Sequence, residues 1–176
     1  MIFPVKQFGL IFRLVEEKDA AFILSLRTDP KLSRYLNSTA DSLKQQQGWI
    51  RNYKKREKRG EEYYFLFADE REMPLGVIRL YNILGKTYTG GSWLVSPGAD
   101  EFAAISSDLF LLIFGFEVLG MEQCLIDTRK SNKKVVRYHR MFSRQTGEDE
   151  DNFYFEMDKA DYCRKREFLT KIINDK

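Results

Sequence analysis

The stretch Gln123–Phe142, QCLIDTRKSNKKVVRYHRMF, decides how this chain is read. Its opening residues, Gln123–Thr128, form a short apolar-centred run that predicts a buried strand. Ser131 can cap the next element, and Asn132–Phe142 reads as an amphipathic helix. Reading outward toward the N-terminus, Glu101–Leu119 is a long apolar helix stopped by Gly120. Before it lie three strand-like runs: Tyr63–Phe67, Leu75–Ile83 and Lys86–Val95. Gly90-Gly91 inside the last run signals a bulge or a close approach of backbones; a tight turn is the competing reading. In Leu75–Ile83 the alternation sets Val77, Arg79 and Tyr81 on one face and Ile78 and Leu80 on the other.

Further out, Ile11–Val15 reads as a first strand and Asp19–Leu26 as a helix closed by Pro30. Asp29–Leu36 suits a short helical piece, and Asp41 or Ser42 can cap a helix that Gly60 ends. On the C-terminal side, Ser143–Thr146 and Phe153–Met157 predict a hairpin around the acidic turn Gly147–Asn152. Asp158–Ile173 comes after it as an amphipathic helix. Strands mixed with helices predict an α/β (α+β) fold with a central sheet of about six or seven strands. The expected organisation is a single domain over 1–176, with 159–176 as a C-terminal helix and tail.

Composition narrows the function classes. The chain has 176 residues, 43% hydrophobic and 31% charged, ordinary values that exclude disordered, collagenous and disulfide-stapled classes. A net charge of +3 is too small to point to nucleic acid. One histidine and two cysteines, Cys124 and Cys163, lack metal-ligand spacing, so no metal is expected. The apolar run Leu109–Phe116 is too short to span a bilayer, and no signal peptide is read, so a cytoplasmic setting is expected. The densest basic run, Arg51 to Arg59, spreads over more than one helix face, which suits a solvated surface better than a site for a phosphate-bearing substrate or RNA.

The order of elements, with Asn132, Val135, Val136, Tyr138, His139 and Phe142 in their places, resembles the GCN5-related N-acetyltransferase (GNAT) family from Ile11 to Met157. Asn132–His139 followed by the acidic Glu148–Phe155 segment resembles the branch acting on nucleotide-linked amino sugars. Leu26–Pro30 and Tyr35-Leu36-Asn37 are also similar to the branch that includes ribosomal-protein N-terminal acetyltransferases. The resemblance implies acetyl-CoA as co-substrate and a primary amine as acceptor. It implies that backbone N–H groups near Leu94 and Val95 polarise the thioester carbonyl. It implies CoA contacts from Ser96, Gly98, Ala99, Phe102 and Ala103, and from Asn132 and Lys134. The loop Ser96–Ala104 departs from the family pattern: it has one glycine, no arginine, and two acids, Asp100 and Glu101, which would repel a pyrophosphate unless they cap the helix. The family's acid near Thr89 is missing too.

His139 falls where relatives place the group that protonates the CoA sulfur, and Tyr138 is the alternative acid. A packing histidine and a helix-capping Asn132 are the structural alternatives. Arg27, Tyr35, Asn37, Arg79, Tyr81 and Trp93 are the candidate acceptor-pocket residues. Arg79, inside an apolar strand, demands an anionic partner, from protein or ligand. The resulting expectation is direct transfer in a ternary complex, because Cys124 sits mid-strand in an apolar segment. A protein N-terminal or small-amine acetyltransferase and a non-catalytic binding module with a degraded loop are the rival readings. A homodimer paired through the last strands is a family-level expectation, and no membrane or nucleic-acid partner is expected.

Overall fold

A computed structural model describes residues 1–36 and 41–175; the candidate Asn37 lies outside the described residues. Eight strands form one sheet in the order β1-β2-β3-β4-β5-β6-β8-β7. They are β1 Val5–Gln7, β2 Leu10–Leu14, β3 Tyr63–Ala68, β4 Pro74–Leu84, β5 Thr87–Val95, β6 Gln123–Arg129, β7 Arg144–Glu148 and β8 Asn152–Asp158. Every pairing is antiparallel except β5 with β6. The helices are α1 Ala20–Thr28, α2 Pro30–Ser33, α3 Leu43–Lys58, α4 Glu101–Ile113, α5 Lys133–Arg140 and α6 Lys159–Asn174.

The sheet is one strand larger than the upper sequence expectation. The addition is β1, joined to β2 by Phe8 and Gly9, both at positive φ. Primed two-residue turns need that conformation, but phenylalanine is not the residue that advertises it. Helix α4 also ends earlier than expected. It passes into a π-helical turn, Phe114–Val118, closed by Leu119 N–H donating to the Phe114 carbonyl at 3.0 Å. Gly115 belongs in that turn because a Cβ there would sit 2.4 Å from the buried Tyr88 ring. At α5 the cap is Asn132, whose side chain accepts from Val135 N–H at 3.4 Å, rather than Ser131. At α3 the expected Ser42 cap is in place, accepting from Gln45 N–H at 3.3 Å.

Alternation along β3 feeds a core on each face of the sheet. Phe65 and Phe67 face Phe12, Phe110 and the α4 side, where the Phe12 and Phe110 rings stack at 3.8 Å. Tyr64, Leu66 and Ala68 face Ile23, Leu26, Ile50 and Tyr53 of α1 and α3. Between those two packed layers, the β5–β6 junction fails to close along its full length.

Candidate active site

Strands β5 and β6 pair over three positions, Thr87 with Gln123, Tyr88 with Cys124 and Thr89 with Leu125, and then separate. Two features separate them. On the β4 side, Val77 faces Leu94 while Arg79 faces Gly91, so β5 carries one extra residue there, and Ser92 sits at φ 48°. On the other side, β6 follows β8 from Gln123 to Arg129 without interruption. The bulge thus lies just past Gly90-Gly91, not on it. The glycines answer a close approach instead: a Cβ on Gly90 would lie 3.4 Å from Cys124 Sγ, and one on Gly91 3.0 Å from Tyr81 Oη.

The opening is a cavity of about 1130 Å³ that runs through the sheet. Its α4–α5 side gathers Val95, Asn132, Lys134, Tyr138 and His139 from the sequence candidates, while Leu94, which also lines it, packs with the α1–α3 core. Its α1–α3 side gathers Arg27, Tyr35, Arg79 and Tyr81. Trp93 also lines it, but its indole N–H donates to Ser107 Oγ at 3.1 Å and its ring lies 5.8 Å from Tyr138, so it belongs to the α4–α5 side. Ser96, Gly98, Ala99, Phe102 and Ala103 fall outside the cavity wall. Ala103 packs in the core, because the helix turns that face inward; Glu101, Ala104 and Ile105 line the cavity in their stead. The two acids of this loop are engaged. Asp100 caps α4, accepting from Phe102 N–H at 3.0 Å, and Glu101 pairs with Lys134 at 3.4 Å. The slot runs beside the unpaired edge of β5 and reaches the start of α4.

His139 is buried on α5 with its Nδ1 unpartnered. Burial, aided by the Lys165 charge, pushes it down to about 4, so at neutral pH it is a neutral imidazole. Tyr138 donates its phenol proton to Asp108 Oδ2 at 2.6 Å. Burial and that carboxylate hold Tyr138 well above the ordinary phenol range. Cys124 is buried, and burial raises its thiol to about 12, which removes it as a nucleophile.

Arg79 finds its anion within the protein. Buried Glu62 accepts from Arg79 and from Arg56 Nε, the latter at 2.6 Å, so two guanidinium groups share one carboxylate and the cluster stays cationic. The Arg79 guanidinium lies 4.5 Å from the Tyr81 ring centre and 5.0 Å from that of Trp49, clamped between two aromatic faces. Asp127 is a further cavity-lining carboxylate, on β6 past the last β5–β6 pair. Tyr81 is raised to about 12 by burial, with Asp127 adding to it. Sequence reasoning missed Asp127, Trp49 and Glu62. Asp127 was within reach, since it stands alone as an acid in the deciding strand QCLIDT.

Among the described residues there is no group of three or more potential metal ligands, and no helix is long and apolar enough to cross a membrane. A family model described as an acetyltransferase (GNAT) domain matches residues 9–142. No curated protein matches the sequence. Among solved structures, apo FdhC, a nucleotide-linked sugar GNAT, aligns with a TM-score of 0.87 at 35% identity, over 98% of this chain and 99% of that one. Spermidine N-acetyltransferase from Vibrio cholerae, in complex with CoA and spermine, aligns at 0.76 with 18% identity, over 89% of this chain and 99% of that one. Ribosomal-protein-S5-alanine acetyltransferase from Vibrio fischeri aligns at 0.76 with 14% identity, over 90% of this chain and 97% of that one; these last two show a shared fold.

Proposed function

The chain belongs to the GNAT acetyltransferase family, and from that premise we propose that it acetylates the primary amine of a nucleotide-linked amino sugar, directly, in a ternary complex. As a member it is an acyl-CoA-dependent N-acetyltransferase with acetyl-CoA as co-substrate. The acceptor reading is carried by one observation. The α1–α3 side of the cavity presents Arg27 and Arg79, the latter backed outside the wall by Glu62, which Arg56 also pairs, while a carboxylate, Asp127, stands on β6. Such a wall suits a molecule with an anionic carrier at one end and an ammonium at the other. The likeness to a sugar GNAT at 35% identity supports the same reading. A polyamine would bring several positive charges to two arginines.

The work is divided among named residues. Asn132 and the α4–α5 side hold the tether, with Lys134 reaching solvent. Backbone N–H groups at Leu94 and Val95 draw charge onto the thioester oxygen. Asp127 receives the ammonium, which gives up one proton to solvent before its nitrogen attacks. Once that nitrogen has bonded the carbonyl carbon it is cationic and more acidic than the free ammonium, so the imidazole can take its second proton as the thiolate leaves. His139 takes that proton and returns it to the leaving thiolate. No acyl-enzyme forms, since the thiol of Cys124 stays protonated at neutral pH.

The test has two arms. Acetyl-CoA should raise the melting temperature of the purified protein. Thiol release should then be faster with UDP-glucosamine than with spermidine or a peptide N-terminus. A melting shift with spermidine preferred overturns the sugar reading. Absence of any shift at millimolar acetyl-CoA favours the non-catalytic module.

A further inference from the structure

Lys165 on α6 is fully buried, with 0% of its side chain exposed, and its Nζ lies 2.7 Å from Asp108 Oδ2. That oxygen is the one that accepts the Tyr138 proton. The ammonium also sits 4.4 Å from the Tyr138 ring centre and 5.6 Å from that of Phe142. Its Nζ makes no well-directed hydrogen bond, so the contact with Asp108 is one of charge. Stability is a poor explanation for such a pair, because well-packed apolar residues in place of a buried ion pair often cost nothing or stabilise. The pair touches the cavity, however: Asp108 and Tyr138 both line it.

We propose that Lys165 fixes the direction of the Tyr138 hydrogen bond at the cleft, and so acts as a positioning residue for acetyl transfer. The inference rests on the acetyltransferase reading above. A phenol has one proton. While Lys165 holds Asp108 Oδ2 at 2.7 Å, that proton is spent on the carboxylate and Tyr138 presents lone pairs to the cavity. An acceptor there can take an N–H from the attacking amine or from the tether amide. Without the ammonium, the Asp108 carboxylate loses the partner that holds Oδ2 in place, and Tyr138 is free to turn its own proton into the cleft. A donor in that place would occupy the lone pair with which the amine attacks. The charged and titratable groups around the ammonium are Asp108 from α4, Tyr138 and His139 from α5 and Cys124 from β6. Asp108 is the one at ion-pair distance. The device reaches the site from outside the matched 9–142 segment, since α6 begins at Lys159.

Two variants, Lys165→Met and Lys165→Met with Asp108→Asn, test it, with UDP-glucosamine and acetyl-CoA as substrates. For Lys165→Met, kcat should fall about tenfold or more, with KM for acetyl-CoA within about threefold. In the infrared, the Tyr138 phenol C–O stretch, identified with a Tyr138→Phe control, should shift from its wild-type frequency in this variant as in the double one. The double variant removes both buried charges and should fold even where the single one does not. Its kcat should remain about tenfold down, because an amide gives the phenol no fixed direction. Recovery of kcat in the double variant to within about twofold of wild type would reduce the pair to a structural bolt and overturn the proposal. So would a Lys165→Met protein whose Tyr138 C–O stretch is unchanged from wild type. If wild type shows no melting shift with acetyl-CoA, the acetyltransferase reading fails on its own, and the infrared arm still decides the direction of the hydrogen bond.

Discussion

The β5–β6 seam is closed at one end and parted at the other, and its two ends carry opposite chemistry. At the closed end Tyr88, Cys124 and Phe116 are buried together, and burial holds both the thiol and the phenol in their neutral forms. At the parted end Asp108, Tyr138, His139 and Asn132 face a cavity, and Asp108, Tyr138 and Asn132 each have a defined polar partner. The same two strands supply both ends. Strand β6 can leave β5 because β8 satisfies its other edge over seven paired positions. Strand β5 can leave because one extra residue at the Ser92 bulge redirects it. The contrast shows how a sheet builds a reaction site: it withdraws hydrogen bonds from one strand edge and keeps the opposite edge fully paired.

Breaking the parted end should give the largest effect. His139→Ala should lower acetyl transfer by about 10²-fold or more, the usual contribution of a positioned proton carrier. Its affinity for acetyl-CoA, read by melting shift, should change less than about threefold. Unchanged turnover would return His139 to the packing role.

Acid should distinguish the ends next. The folded protein holds His139 down to about 4, against 6.5 for the free side chain. Below 6.5 the unfolded chain binds a proton that the native state refuses until about 4, so stability falls as pH drops through that window. The loss amounts to ~3 kcal/mol at most. Urea midpoints at neutral and mildly acidic pH, in wild type and His139→Gln, should differ in slope by that contribution. Equal slopes would mean the imidazole is not shielded.

The closed end is sharpened by Gly115→Ala. The new methyl would meet Tyr88, which is 0% exposed, at 2.4 Å. Overpacking of this kind should cost ~2 kcal/mol in chemical denaturation, with turnover per folded molecule unchanged. Loss of turnover without loss of stability would show that the closed end is not merely a wall. The smallest effect is expected from Arg79→Met, on the acceptor side. KM for UDP-glucosamine should rise about tenfold while KM for acetyl-CoA stays put. Glu62 keeps Arg56 as a partner in that variant. An unchanged KM would remove the anionic carrier from the proposal.

Much of this contrast could be read from residue order. Ser42 and Gly60 bracket α3, and the period change at Tyr63 marks the turn from helix to sheet. The deciding stretch gives β6 and α5 nearly residue by residue. What could not be read depends on partners far apart in the chain. The Ser92 bulge arises from register against β4, and no local residue type at Ser92 demands its positive φ. Glu62 looks like one more acid after a basic helix until Arg79 folds onto it. Lys165 sits in an amphipathic helix where most lysines face water, and nothing in its neighbourhood marks it as buried. The available hint was Asp108, a lone carboxylate inside the apolar run of α4, which requires a cation from somewhere.

The docking of α6 has a consequence for how the molecule comes into being. On a ribosome, every strand and the whole cleft emerge before the residue that pairs with Asp108. A nascent chain halted before α6 would gather its sheet with that buried carboxylate still unmatched, and the cleft would be completed only by the arrival of Lys165.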